Sequence, residues 1–393
     1  VAEDTQSTIT YGIFNETAEH ESRVALTPDI VKRLKRSGVD CVIERNAGHA
    51  AGFSDDDYVK AGAKVATRDE IIAQSQAFGF VDRPDAELID RLPKGSWVIG
   101  MLGSFTDQAY VDHLEQAGLV GVAIEKLPRQ LSSAQSMDEM TSQNSVMGYK
   151  AVLKAADAYG SFFPMMTTAA GTIRPAKVLI LGAGIAGLQA IGTARRLGAV
   201  VTAYDVRPAA KGEVLSLGAK FLDLGLDFSQ GQGEGGYARQ LTAEEQAAQQ
   251  AAVDQKAAEF DVVITTAKVP GRKPPMLLTK AGVDGLHRGA VIVDCAASDL
   301  GGNVEGSKPN QTLITDNGVQ LIGAPDLASG VATTASNLLA RNVADVLAHF
   351  VTDGKLAMDL GEELDDALVV AGRVEAPAQA AEETSKESVE GEK

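Results

Sequence analysis

The sequence predicts an α/β protein made of two doubly wound domains with a cleft between them. Three observations carry that expectation. Short apolar runs alternate with helical patterns from Ile9 to Ile124, the mark of a parallel sheet covered by helices on both faces. The same alternation restarts at Val178 and runs to Gly323. At the head of this second series, Lys177–Arg207 reads KVLILGAGIAGLQAIGTARRLGAVVTAYDVR: strand, glycine turn, helix and strand in one Rossmann-like unit. A chain of 393 residues has room for two ordinary domains. The expected division is 1–142 plus 329–374 for a discontinuous N-terminal domain, 143–328 for the second domain, and 375–393 for an acidic, disordered tail.

The first series opens with a strand at Ile9–Ile13. Thr27, Pro28 and Asp29 then give a helix start: an N-cap, a proline at the first helical position and an acid in the first turn. That helix should end near Ser37–Gly38. Further strands are expected at Cys41–Glu44, Lys64–Ala66, Ala77–Val81, Trp97–Met101 and Val120–Ile124. This unit has no glycine fingerprint and reads as a scaffold. Pro128–Gly148 is polar and rich in Ser, Gln and Asn. Arg129–Met140 reads as a loop feeding a helix from Gln143 to Tyr159; a plain solvated linker is the alternative.

In the second series, Val178–Leu181 is too short for a helix and right for a buried strand. Gly182, Gly184 and Gly187 follow in G-x-G-x-x-G spacing. Gly182 allows the tight turn. Gly184, with Ile185 and Ala186 after it, lets the backbone approach a pyrophosphate. Gly187 lets the helix pack on the strand, and the helix N-terminus offers free N–H groups to the phosphates. Leu188–Leu197 is the helix and Val200–Tyr204 the next strand. Asp205 ends it, 18 residues after Gly187, where a carboxylate would accept from both ribose hydroxyls. The acid favours NAD(H), because its charge repels the 2′-phosphate of NADP(H); Val206 and Arg207 follow, and Arg207 could contact such a phosphate. Glycines used only for packing are the alternative. A membrane span over Val178–Ala194 is rejected: glycines and Gln189 interrupt it, and it falls short of about 20 residues.

Ala219–Leu222 is expected as a third strand. Asp227–Gly236 is glycine-rich and leads to Tyr237, either a mobile lid or a featureless loop. Thr242–Phe260 reads as a polar helix, and Asp261–Thr265, Ala290–Asp294 and Val319–Gly323 as strands. Thr266 and Ala267 leave a strand end, where open α/β sheets bind ligands. Ser336–Val351 is an amphipathic helix whose Leu338, Leu339, Val343, Val346 and Leu347 should pack in a core and return the chain to the first domain.

Composition excludes several classes. A formal net charge of −17 makes nucleic acid and anionic membrane poor direct partners. The two cysteines, Cys41 and Cys295, argue against a disulfide scaffold and a Cys-based zinc site and fit a reducing compartment. The five histidines show no metal spacing, so no metal is expected. The polar start shows no signal peptide, and no segment suits direct membrane insertion.

Five motifs carry a resemblance: SRVALTP (Ser22–Pro28), AQSMD (Ala134–Asp138), FPMMTTAAGT (Phe163–Thr172), GAGIAGLQAIGTARRLGA (Gly182–Ala199) and GGYA (Gly235–Ala238). With them the chain resembles the NAD(H)-binding component of proton-translocating nicotinamide nucleotide transhydrogenase, in the form where that component is a separate soluble subunit. Alanine dehydrogenases share this fold and much of the N-terminal pattern. The resemblance implies NAD(H) here, NADP(H) on a partner subunit, and direct hydride transfer between the two nicotinamides, coupled to proton translocation by a membrane partner. It also implies a homodimer held at the cytoplasmic face of the inner membrane through its partners. By match, Arg129 and Asp138 position the nicotinamide carboxamide, Gln135 faces the partner's cofactor, Thr141 stands where a serine is usual, and Tyr237 closes over NAD(H). The chain departs from the pattern in a loop one residue longer between Arg129 and Gln135, with Ser133 in place of a second arginine.

Two other readings remain. An alanine dehydrogenase would need a lysine and a histidine where this chain has Phe80 and Met101, leaving only Arg23 at the substrate position. A non-catalytic NAD-sensing subunit would keep the nucleotide site and lose hydride transfer.

Overall fold

The computed structural model describes residues 9–225, 242–268 and 272–373. Tyr237, the glycine-rich stretch before it and the acidic tail lie outside them. The expected pair of doubly wound sheets is present.

The first sheet contains β1 (Ile9–Ile13), β2 (Val39–Glu44), β3 (Lys64–Ala66), β4 (Ala77–Asp82), β5 (Trp97–Met101) and β6 (Val120–Ala123). A small separate hairpin follows, β7 (Met166–Thr168) and β8 (Gly171–Ile173). The second sheet contains β9 (Lys177–Leu181), β10 (Val200–Tyr204), β11 (Lys220–Phe221), β12 (Val262–Thr265), β13 (Val291–Asp294), β14 (Thr312–Ile314) and β15 (Gln320–Gly323). A second short hairpin, β16 (Val351–Thr352) and β17 (Lys355–Leu356), precedes β18 (Val369–Ala371). β18 pairs antiparallel with β6 and so belongs to the first sheet.

Strand order is β18-β6-β5-β4-β1-β2-β3 in one sheet and β11-β10-β9-β12-β13-β15-β14 in the other. Each sheet grows outward in both directions from its first strand. The order therefore reverses between β1 and β4 in the first sheet and between β9 and β12 in the second, and crevices open at the carboxyl ends of those strands. Val178, Leu179, Ile180, Val262, Val263 and Ile264 are all fully buried, as parallel strands covered on both faces must be.

Three helices matter for the site. The connecting helix spans Glu139–Ala158. It begins four residues before the expected Gln143, because the Asp138 side chain accepts from Thr141 N and starts the helix there. The glycine-loop helix spans Ile185–Arg196, not Leu188–Leu197, with Gly184 as its N-cap. The two helices cross where a Cβ on Gly148 would lie 2.1 Å from the Ala186 carbonyl oxygen; only glycine permits that approach.

The return helix spans Ala332–His349. Leu339, Val343, Val346, Leu347 and the following Phe350 join the core of the first sheet, and Phe350 lies 5.0 Å from Trp97 between ring centroids. Leu338 is a correction: it is 36% exposed, at the edge of the apolar stripe rather than inside it. At Thr27 the cap residue is as expected, but its buried hydroxyl makes no hydrogen bond. No described helix is long and apolar enough to cross a membrane.

Candidate functional site

The second sheet's crevice is built from the glycine turn upward. Gly182 has φ +98°, and a Cβ there would lie 2.9 Å from Thr266 Oγ1. That hydroxyl donates to the Gly182 carbonyl at 3.0 Å, tying β9 to the end of β12. A Cβ on Gly187 would lie 1.9 Å from the same carbonyl oxygen. At Gly184 the result is opposite: nothing lies within 4 Å. Two glycines are required by packing, and the third faces open space at the head of a helix, a cradle of the size and polarity a pyrophosphate needs.

Asp205 closes the loop from the other side. Its Oδ2 accepts from Ala183 N at 2.7 Å. Its remaining acceptor positions are taken by Arg207: N and Nε donate to Oδ1 at 2.8 and 3.0 Å, and Nη2 to Oδ2 at 3.1 Å. Arg207 Nη2 also donates to the Ala183 carbonyl at 3.0 Å. Burial works to raise the Asp205 pKa, but the Arg207 and Ala183 hydrogen bonds outweigh it and hold it below the usual carboxylate value. Val206 between them is exposed.

Ala267 is fixed by a residue that sequence reading missed. Asn303, fully buried, accepts from Ala267 N at 3.0 Å and donates to the Ala267 and Pro275 carbonyls at 2.8 Å. Asp294, at the end of β13, accepts from Thr265 Oγ1 and from the backbone N–H groups of Ala296 and Val304. The Gly-Gly-Asn run at 301–303 was the available signal: a Cβ on Gly302 would lie 2.2 Å from Asp294 Oδ2.

The second cluster sits at the start of the connecting helix. Arg129 Nε donates to Asp138 Oδ2 at 2.9 Å and Nη2 to Thr141 Oγ1 at 2.6 Å. Thr141 returns its N–H to Asp138 Oδ1 at 2.8 Å and its hydroxyl to Oδ2 at 2.5 Å. Burial pushes the Asp138 carboxyl up, while Thr141 and Arg129 together pull it below its ordinary value. Ala134 and Met137 anchor the loop in the first core, and Gln135 between them is exposed. Asn342, on the return helix, donates to the Ser136 carbonyl at 2.7 Å and accepts from Ser142 Oγ at 2.7 Å; it too went unrecognised in the sequence.

The structure thus joins Arg129, Asp138 and Thr141 in one group. Gly182, Gly184, Ile185, Ala186, Gly187, Asp205, Arg207, Thr266 and Ala267 form a second. The connecting helix links them: Thr141 is seven residues, roughly 10 Å along the axis, from the Gly148 crossing with Ala186. Between the sheets lies a cavity of about 750 Å³, lined by Asp82, Met101 and Glu125 from the first and Lys268, Ala296 and Pro325 from the second. No expected site residue lines it, but Met140 and Lys268, next to Thr141 and Ala267, do. The carboxyl ends of both sheets therefore face one space.

Residues 12–147 match the family model described as alanine dehydrogenase/PNT, N-terminal domain, and residues 151–375 match alanine dehydrogenase/PNT, C-terminal domain. The chain belongs to the alanine dehydrogenase/PNT family.

Within the alanine dehydrogenase/PNT family, the chain is 38% identical over 353 residues to the separately encoded first portion of NAD(P) transhydrogenase subunit alpha from Rickettsia prowazekii, covering 88% of this chain and 90% of that one. The crystal structure of transhydrogenase from Sinorhizobium meliloti superimposes with a TM-score of 0.82 at 39% identity, over 93% of this chain and 99% of that one. An L-alanine dehydrogenase superimposes less well, with a TM-score of 0.72 at 26% identity over 94% and 98%. The site agrees with the transhydrogenase side. Phe80 is buried and stacked on Phe14 at 5.8 Å between centroids. Met101 lines the cavity without a titratable group. Arg23 is already held by Glu21 and Gln143.

Proposed function

We propose that this chain binds NAD(H) as a substrate and exchanges hydride directly with NADP(H) held by a partner subunit, with proton translocation coupled through a membrane partner. The observation that carries the nucleotide half is the contrast at the glycine turn: Gly182 and Gly187 are demanded by packing, and Gly184 is open. Its neighbour Ala183 is locked to Asp205, so the pyrophosphate cradle and the ribose acceptor form one rigid unit. Gly182, Gly184, Ile185, Ala186 and Gly187 would line the pyrophosphate. Asp205, Val206 and Arg207 would meet the adenosine ribose, and Thr266 and Ala267 would flank the path toward the nicotinamide.

All four acceptor positions of Asp205 are engaged. For ribose hydroxyls to bind, the Arg207 side chain gives up its two bonds. While it keeps them, its charge is neutralised by Asp205, which disfavours capture of a 2′-phosphate. Specificity for NAD(H) follows from both halves of this pair.

Hydride transfer between nicotinamides needs alignment and exclusion of water rather than a general acid or base. Arg129, Asp138 and Thr141 suit alignment: guanidinium, carboxylate and hydroxyl converge, matching the donors and acceptors of a carboxamide. Gln135 projects from the same loop to the surface and would face the partner's nucleotide. We assign residues 1–142 with 329–374 to one domain and 143–328 to the other, with NAD(H) across the cleft. The β7–β8 hairpin pairs with neither large sheet and carries exposed Met165 and Ile173 beside it, a surface suited to a homodimer contact. Attachment to the cytoplasmic face of the inner membrane would come through partner subunits. Fluorescence titration with NADH tests the nucleotide half: saturable binding with NADPH bound far more weakly supports it, and equal binding of both removes the specificity argument.

A further inference from the structure

Glu139 opens the connecting helix, next to the Asp138 that caps it. Its side chain is 3% exposed, faces the cavity between the sheets, and leaves Oε2 without a hydrogen-bond partner. The charged and titratable groups facing it are Tyr11 on β1, Glu16 and Arg23 on the segment after β1, Asp82 at the end of β4, and Glu125 after β6. Arg23 supplies the opposing positive charge. Its Nε and Nη2 donate to Glu21 at 2.8 and 2.7 Å, and its Nη1 to Gln143 Oε1 at 2.9 Å. Gln143 is four residues after Glu139, so both present to the same helix face.

A neutral carboxylic acid is tolerated at this place and a carboxylate is not. Burial first, then the nearby carboxylates Glu125, Asp82 and Glu16, push its pKa to about 8, with Arg23 opposing. The helix N-terminus favours negative charge by only about 0.3–1 kcal/mol, too little against the several kcal/mol that an unpaired buried carboxylate costs. Once ionised, Glu139 would compete for the nearest cation, and Arg23 can reach it only by leaving Gln143 one turn along the helix. That exchange disturbs the turn in which Asp138 and Thr141 hold Arg129.

We propose that Glu139 is a positioning residue that must carry a proton for the Arg129–Asp138–Thr141 group to hold the nicotinamide carboxamide. The inference rests on the reading of that group given under Proposed function. Its test is NADH affinity of the full chain, by fluorescence titration from pH 6.5 to 9.5. The wild-type dissociation constant should rise about tenfold across that range, the size of one pKa unit of linkage. Glu139→Gln and Glu139→Ala each remove the titrating group and should abolish the rise; thermal melting at each pH shows that they are folded. A rise that persists in both variants overturns the inference and leaves the nucleotide reading standing, as does a flat wild-type profile with firm NADH binding. Failure to bind NADH at any pH overturns the nucleotide reading, and the inference with it.

Discussion

Asp205 and Ala183 are 22 residues apart in sequence and joined by a 2.7 Å hydrogen bond from the Ala183 N–H to the carboxylate. The acid at the end of β10 therefore shapes the glycine turn at the end of β9 as well as waiting for a ribose. Asp205→Ala should weaken NADH binding by at least about tenfold, the loss expected of a charged acceptor. It should also cost about 1 kcal/mol of stability by releasing Ala183 N–H. Because it frees the Arg207 guanidinium, it should narrow the preference for NADH over NADPH. Calorimetric titration with both nucleotides reads all of this beside a denaturant melt; unchanged NADH affinity would remove Asp205 from the site.

The glycine turn offers a paired test. Gly184 has φ −75° and open space around it, so Gly184→Ala should fold with a melting temperature within a few degrees of wild type and lose most NADH affinity. Gly187→Ala drives a methyl into the Gly182 carbonyl and should destabilise by roughly 1–3 kcal/mol, as overpacking does. If the two variants lost stability equally, the open cradle would not be where the structure has it.

Glu16 follows β1 at the first sheet's own switch point. Its Oε1 accepts from Val81 N at 2.6 Å, and its side chain fills the crevice that in the second sheet is open. Burial pushes its pKa to about 8 from 4.5. The folded state thus holds a proton that the unfolded chain releases near 4.5, so stability is greatest below that pH and falls as pH rises toward 8. Glu16→Gln keeps an oxygen for Val81 N and cannot ionise. Its melting temperature should decline less than that of wild type between about pH 5 and 8; parallel profiles would show that Glu16 is not the titrating group.

Gln135 is exposed between the buried anchors Ala134 and Met137. Shortening it by one methylene leaves those anchors untouched. Gln135→Asn should slow hydride transfer, measured in single turnovers with the NADP(H)-binding partner, about tenfold or more, while NADH affinity changes less than about twofold. Equal losses in rate and affinity would make Gln135 a binding residue only.

Much of the fold is legible in the sequence because buried parallel strands are uninterrupted apolar runs: Val178–Leu181 and Trp97–Met101 stand within a residue of their structural bounds. Helix starts are less legible. Polar residues hide the first turn of the connecting helix, which only the Asp138 cap reveals, and the glycines of the turn mask the start at Ile185. Arg129, Asp138 and Thr141 fall within 13 residues of chain, so their meeting is a local matter. Asn303 and Asn342 reach their partners across 36 and 206 positions, and only the packed sheets bring them there. The buried charge of Glu139 belongs with these: the sequence marks it as polar, and only the core around it shows that its Oε2 has no partner.

The central claim is direct exchange of hydride between NAD(H) on this chain and NADP(H) on another. The most direct measurement mixes the purified chain with the NADP(H)-binding subunit from the same source and follows reduction of 3-acetylpyridine adenine dinucleotide with NADPH and NADH supplied. Rapid turnover that requires both proteins is the predicted result. Absence of turnover with NADH binding intact would contradict it and leave this chain a nucleotide-sensing subunit.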